Sequence, residues 1–421
     1  MAIISPTPTS QSELQDGVRQ QISERNCAVS GTPCKEDFGW RKIVRHFTPS
    51  WFAVNMGTGI TSILLHNLPY NTTWISNGVA VAFFILNISL FTVFTAITVL
   101  RYALYPEIWR AMVTHPAQSM FLGCFPMGFA TIINMMVFVC APIWGQWVVS
   151  WAWGLWWLDT ALSLATCITV PFVMIHQHRP GLQAVTAASL LPIVPVVVAS
   201  STGGIVAEAL VNPDHAFITL IASYILWGIG ICFSGMVLAL YFHRLTIHSL
   251  PSKEAIVSVF LPIGPLGQGG FGIQQLGKVS LKLLPQTTVF KTAAPGAIHG
   301  GEILYFLGIF LALIMWGFAL VWLSFALISI GTMQKFPFNM GWWGFTFPLG
   351  VLATCTGMLA QELDSAFFRV MTMIFSLSVC CLWLLVAVGT LHQAISGEIF
   401  FAPCLKDLRD KQAQGGSDRR V

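Results

Sequence analysis

Charge is what this sequence has least of. Asp, Glu, Lys and Arg make up 9% of 421 residues, where soluble domains carry about 25%. So few charged groups cannot clothe a globular surface in water, which excludes a soluble enzyme and places the chain in lipid. The net charge of +4 is small. Its basic residues lie in short loops and tails rather than along one face, which excludes a nucleic-acid partner. Cysteine pairing is also missing. Ten cysteines are present, but no CxxC pair and no Cys/His ligand spacing, so neither a zinc site nor a disulfide framework is expected. The segment Gly272-Ile273-Gln274-Gln275-Leu276-Gly277-Lys278 has the outline of a phosphate-binding loop. The next residue is Val279, not the Ser or Thr that would hold Mg²⁺, and no strand precedes it, so nucleotide binding is excluded. No cofactor, metal or catalytic constellation is expected. Residues 1–46 and 403–421 are polar and lack an apolar core segment. They read as cytosolic, disordered tails around a transmembrane domain at 47–402.

What the chain does contain is apolar runs long enough to cross about 30 Å of hydrocarbon. They fall near 47–66, 75–100, 117–140, 149–175, 183–207, 216–242, 255–276, 298–330, 336–359 and 366–393. The expected fold is therefore all-α and integral to the membrane, with ten helices as five hairpins. One connection, 277–297, is long and polar. Ten crossings put both termini on one side. That side holds Arg41, Lys42, Arg45, Arg101, Arg110, Arg179, Arg244, Lys253, Lys335 and the basic tails. The other holds only Lys278, Lys282, Lys291 and Arg369. The positive-inside rule makes the first side cytosolic. Asn71-Thr72-Thr73 is a glycosylation acceptor in the first outside loop. Trp144, Trp147, Trp151 and Trp153 suit an aromatic belt at the outer interface.

The runs repeat. Pro126, Pro195, Pro265 and Pro348 each interrupt an odd-numbered run, and Gly57 holds the equivalent place in the first. The intervals between positions 57, 126, 195, 265 and 348 are 69, 69, 70 and 83 residues. Interrupted helices leave backbone groups free, which a bilayer tolerates only inside protein or beside water. Five helix breaks at one depth therefore predict five odd helices around a central pore, with even helices outside against lipid. The spans drawn for the odd helices carry no Lys, Arg, Asp or Glu.

The residues before each break are Met56, Phe125, Val194, Gly264 and Phe347. Facing an axis they would form an apolar ring able to close a pore by dewetting, with Phe125 and Phe347 as its largest members. Both could equally pack between helices. Asn55, Ser62, Thr131, Ser200, Gln268 and Thr346 could replace an anion's water along such a path. The competing reading is that hydroxyls bond back to their own helix. Asp159 sits in the middle of the fourth run. An ionisable group there reads as a proton-handling or gating carboxylate, or as a hydrogen-bonded tie between helices.

These segments also carry a family likeness. Phe125-Pro126-Met127-Gly128, Leu155-Trp156-Trp157-Leu158-Asp159, Gly264-Pro265-Leu266-Gly267-Gln268-Gly269 and Gly344-Phe345-Thr346-Phe347-Pro348 resemble the tellurite-resistance/dicarboxylate transporter family. That family includes fungal sulfite exporters, malate permeases and plant slow anion channels, and the likeness is to the sulfite-exporting branch. The resemblance implies ten helices in five hairpins around a pore and a phenylalanine plug matching Phe347. It also implies a homotrimer with one pore per subunit. The expected activity is export of sulfite or bisulfite across the plasma membrane. The alternatives are a malate or C4-dicarboxylate carrier, a general anion channel of the same fold, and a membrane receptor that transports nothing.

Overall fold

The computed structural model describes residues 39–70, 73–177, 181–286, 300–333, 335–403 and 405. Asn71 and the 287–299 part of the long connection lie outside the described residues. Every regular element among the described residues is helical. The α-helices are α1 Gly39–His46, α2 Phe52–His66, α3 Ala80–Leu104, α4 Pro106–Val113, α5 Cys124–Met135, α6 Ala141–Trp144, α7 Gln146–Gln177, α8 Val194–Ala209, α9 Pro213–His248, α10 Ile263–Leu283, α11 Gly300–Thr332, α12 Thr346–Glu362 and α13 Ala366–Ser396. Eight helical stretches are long and apolar enough to cross a membrane, and α8 is a shorter apolar helix. This is a multi-pass membrane protein.

The chain divides into two compact units. The described residues of the smaller one are α1 with Phe47 and Thr48, residues 97–112, and residues 400–403 and 405. Helix α1 occupies 39–46, where the sequence suggested the end of a disordered tail. Within this unit the fully buried Arg101 donates through Nε to the Arg45 carbonyl at 3.1 Å, and Arg45 lies over the Tyr105 ring at 5.7 Å. The Ala402 amide donates to His46 Nδ1 at 3.0 Å, tying the start and end of the unit together.

In the larger unit the helices sort by burial. The apolar windows of Ile256–Gln286 and Met340–Glu362 are 83% buried and that of Ser119–Trp144 is 61% buried. The other five windows are 22–33% buried. Helices α2 and α8 are buried along nearly their whole length. The odd runs therefore lie inside and the even runs outside. The inner helices also pack on one another in sequence, α2 on α5, α5 on α8, α8 on α10, α10 on α12, and α12 back on α2. The outer helices α7, α9, α11 and α13 each pack on a member of this ring. Close approach uses glycine where a side chain would collide. A Cβ on Gly267 would meet the Leu352 backbone nitrogen at 2.7 Å, and one on Gly57 would meet Trp343 and Thr346 at 2.6 Å.

The repeated prolines are placed differently from the expectation. Each inner helix is entered through a short, tighter helical turn, namely Pro49–Trp51, Ser119–Gly123, Ala187–Leu190, Ile256–Phe260 and Met340–Phe345. Pro126, Pro265 and Pro348 are then the third residue of their α-helices and Pro195 the second. There the missing N–H has no intrahelical acceptor to lose. The prolines thus start α-helices rather than fracture them. Gly57 is no break at all, because α2 runs unbroken through it. Its role is the tight contact with Trp343 and Thr346.

Candidate functional site

One cavity draws on all five inner helices. It has a volume of about 170 Å³. Helix α2 contributes Ile60 and Ile63, with Asn67 just beyond its end. Asn134 comes from α5, Glu208 from α8, Gln268, Phe271, Gln275 and Lys278 from α10, and Thr354 and Gln361 from α12, with Thr372 and Ser376 from α13. Helix periodicity explains the selection. On α10 the lining residues recur at spacings of three and four, which keeps them on one face.

Lys278 is the one Lys or Arg among the described residues of the lining. The apolar run in the sequence ends at 276, before any cation, whereas α10 continues to Leu283 and carries both Lys278 and Lys282. Glu208 Oε1 lies 2.5 Å from Lys282 Nζ and 3.5 Å from Lys278 Nζ. Its other oxygen accepts from Gln275 Nε2 at 2.8 Å. Lys282 lies outside the lining, so the lining itself sets one ammonium group, Lys278, against one carboxylate, Glu208. Around them stand amide and hydroxyl donors. Such a wall can exchange an anion's water for fixed dipoles and offer it a partly neutralised cation.

The predicted path residues divide. Gln268 lines the cavity and donates through Nε2 to Ser201 Oγ. The others are fully buried or nearly so, and serve as ties between or within helices. Asn55 Nδ2 donates to the Asn87 carbonyl at 3.2 Å and to Asn87 Oδ1 at 3.1 Å. Asn87 Nδ2 in turn donates to Thr131 Oγ1 at 3.0 Å. Ser62 donates to the Ala80 carbonyl at 2.7 Å and Ser200 to the Ser223 carbonyl at 2.8 Å. Thr346 donates back to the Trp343 carbonyl at 2.8 Å.

The two phenylalanines separate as well. Phe125 is nine residues from the cavity residue Asn134, which at 100° per residue turns it to the opposite side of α5. It packs there on Phe52 at 4.9 Å and Phe91 at 5.1 Å. Phe125 is an inter-helix packing residue and not a member of an axial ring. Phe347 is seven residues before Thr354, hence on the cavity side of α12. It is buried and stacks on no other ring among the described residues. Met56 is buried four residues before Ile60, on the cavity side of α2. Asp159 is fully buried on α7, and neither carboxyl oxygen has a hydrogen-bond partner.

A closed circuit of helices surrounds a polar cavity with one cation in its described lining, and the comparison with known families points to anions as its cargo. The model of the SLAC1 family, described as voltage-dependent anion channel, matches residues 46–391. The chain belongs to that family. Among the SLAC1-like relatives, the sulfite efflux pump SSU1 of Arthroderma benhamiae is 48% identical over 375 residues, covering 89% of this chain and 98% of that protein. The SSU1 protein of Trichophyton rubrum matches to the same extent. The malic acid transport protein of Schizosaccharomyces pombe is 25% identical, covering 81% of this chain and 77% of that protein. All of the cavity residues named above fall within the stretch matched by the SLAC1 model.

Proposed function

We propose that this protein exports sulfite, as sulfite or bisulfite anion, from the cell across the plasma membrane. The observation that carries the reading is the polar cavity lined by all five inner helices, with Lys278 in its wall. The extent and identity of the match to sulfite efflux pumps support the substrate. The family's small-anion chemistry agrees with a wall whose lining cation among the described residues, Lys278, is shared with Glu208. That balance suits a small anion better than a C4-dicarboxylate, which would need two cationic anchors.

In this reading α2 and α8 complete ten crossings with the eight longer spans, and the cavity is the outer part of a central pore. Met56 and Phe347 close the pore inward of Gln268. Residues 47–402 form the transporter, and both termini are cytosolic. Asn71 is in an outside loop where it can be glycosylated, and the protein assembles as a homo-oligomer, a trimer by resemblance. Export needs no ATP. With the cytosol negative, a departing monoanion gains about 2.3 kcal/mol per 100 mV. Asp159 is the group we assign to proton or gating control.

Sulfite efflux from loaded proteoliposomes at a set inside-negative potential tests the reading, with malate as competitor. Sulfite flux that malate does not inhibit is expected. Flux no faster than from protein-free vesicles, or flux of malate in preference to sulfite, overturns it.

A further inference from the structure

Gly264 is buried, yet a Cβ built on it would meet nothing within 4 Å beyond its chain neighbours Ile263 and Pro265. It is the one buried glycine among the described residues of which this holds. The other buried glycines of α10 are accounted for by contact. A Cβ would meet Leu352 at Gly267, Ile231 at Gly269, Cys355 at Gly270, Ser201 at Gly272 and Leu304 at Gly277. Backbone geometry does not explain Gly264 either, since positive φ among the glycines is confined to Gly39, Gly145 and Gly397. A glycine within a helix weakens it relative to alanine. Glycine there avoids the clash that a helical residue with a Cβ makes with the ring of a following proline. Yet Phe125, Val194 and Phe347 hold the helical place before Pro126, Pro195 and Pro348 with full side chains, so neither packing nor the proline requires glycine at 264. What remains is the space itself.

The direction of that space is set by helix periodicity. Position 264 precedes Gln268 by four, Phe271 by seven, Gln275 by eleven and Lys278 by fourteen residues, all on one face of α10. The latter four line the cavity. The open volume at Gly264 therefore lies on the cavity side, one turn further in than Gln268. It also falls in the layer directly before the repeated Pro/Gly positions, where the other cavity-side members are Met56, Val194 and Phe347. The layer has three apolar side chains and one vacancy.

We propose that Gly264 is the aperture of the anion path. The room left by its missing side chain lets an anion pass the apolar layer once Phe347 moves, and the size of that room sets the largest anion that passes. The inference rests on the reading of this cavity as a transport path and adds a residue that determines size selectivity. It predicts an unusual pairing of effects. Alanine at 264 meets no packing neighbour, and the equivalent places before Pro126, Pro195 and Pro348 carry side chains, so the protein should keep its stability while it loses transport.

The test is a size series in the full-length protein reconstituted in liposomes. Gly264→Ala and Gly264→Val are compared with wild type for flux of chloride, sulfite and sulfate, with thermal unfolding measured on the same preparations. Gly264→Ala is expected to unfold no lower than wild type, to pass sulfite several-fold more slowly, and to show a smaller ratio of sulfite to chloride flux. Gly264→Val is expected to pass none of the three above background. Wild-type flux and anion ratios in a folded Gly264→Ala overturn the aperture. Should the valine variant not fold, the alanine anion ratio alone decides. Failure of the functional reading is separate, because it shows as absence of sulfite flux in the wild type, whereas failure of the aperture shows as wild-type sulfite flux that the variants share.

Discussion

Lys278 Nζ stands 3.5 Å from the Glu208 carboxylate, across the contact between α10 and α8. Glu208 also holds Lys282 and Gln275. One carboxylate therefore restrains two cations at the wall of the cavity, and an anion arriving there competes with Glu208 for Lys278. The pair is about one-third exposed, so water and salt weaken it.

Glu208→Gln removes the competitor. External anions should then dwell longer at Lys278 and obstruct export. The concentration of external sulfate giving half inhibition of sulfite efflux should fall about two- to five-fold, in keeping with a partly exposed ion pair of under about 1 kcal/mol. The effect should shrink as ionic strength rises. An unchanged sulfate dependence would remove Glu208 from the path.

Phe347→Ala should open the apolar layer. Phe347 is buried on the cavity side of α12 and lacks the ring partners that fix Phe125. A dewetted constriction is a barrier, and lowering it by about 1.4 kcal/mol is worth tenfold in rate. Anion conductance measured by voltage clamp should rise on the order of tenfold. Phe125→Ala should leave conductance per folded molecule as in wild type, because that ring packs on Phe52 and Phe91.

Asn87→Leu should destabilise the protein without altering its path. Asn87 accepts from Asn55 and donates to Thr131, joining α2, α3 and α5. None of the three residues lines the cavity. The Asn55 amide keeps its bond to the residue-87 carbonyl, but losing the Asn87 side-chain bonds to Asn55 Nδ2 and Thr131 Oγ1 should cost about 1–2 kcal/mol. Thermal unfolding in detergent should shift down, with sulfite flux per folded molecule unchanged.

Asp159→Asn should fold normally. Both carboxyl oxygens are unpartnered and fully buried. No described residue pairs with a charge there, and an isolated charge in the membrane costs several kcal/mol. The neutral amide should therefore take its place without loss of stability. Under the role we assign to Asp159, flux of chloride, which does not titrate as sulfite does, should lose its dependence on pH in the variant. A pH profile identical to wild type would reduce Asp159 to a packing residue.

Much of the arrangement was legible in the sequence because lipid is a strict solvent. Charge avoidance and the 70-residue repeat separated inner from outer helices, and burial follows that division. Other features depend on what the chain alone does not display. Pro126 and Pro348 looked like fractures because hydropathy continues across them, although the turn preceding each proline is wound differently from the helix after it. Phe125 and Phe347 were equivalent when aligned on proline. Only the cavity residues Asn134 and Thr354 reveal that they face opposite ways. Asn55, Ser62, Thr131 and Ser200 carry the groups an anion would need, but the same groups tie helices together, and composition does not distinguish the two uses. Lys278 was overlooked because the apolar run fades at 276 while the helix goes on to Leu283. Continuing the three-and-four spacing from Gln268 through Phe271 and Gln275 would have found it.

The central claim is that one face of α10, with its neighbours in the ring, bounds the route of the anion. Gln275 lies on that face, and Ile273 two residues earlier lies on another, packed against α11 and α12. The direct measurement is sulfite efflux from proteoliposomes carrying Gln275→Cys or Ile273→Cys, before and after a negatively charged methanethiosulfonate reagent, with labelling quantified by mass. The account predicts that Gln275→Cys is labelled and its flux falls at least about tenfold, while Ile273→Cys keeps its flux. Complete labelling of Gln275→Cys with undiminished sulfite efflux would contradict it.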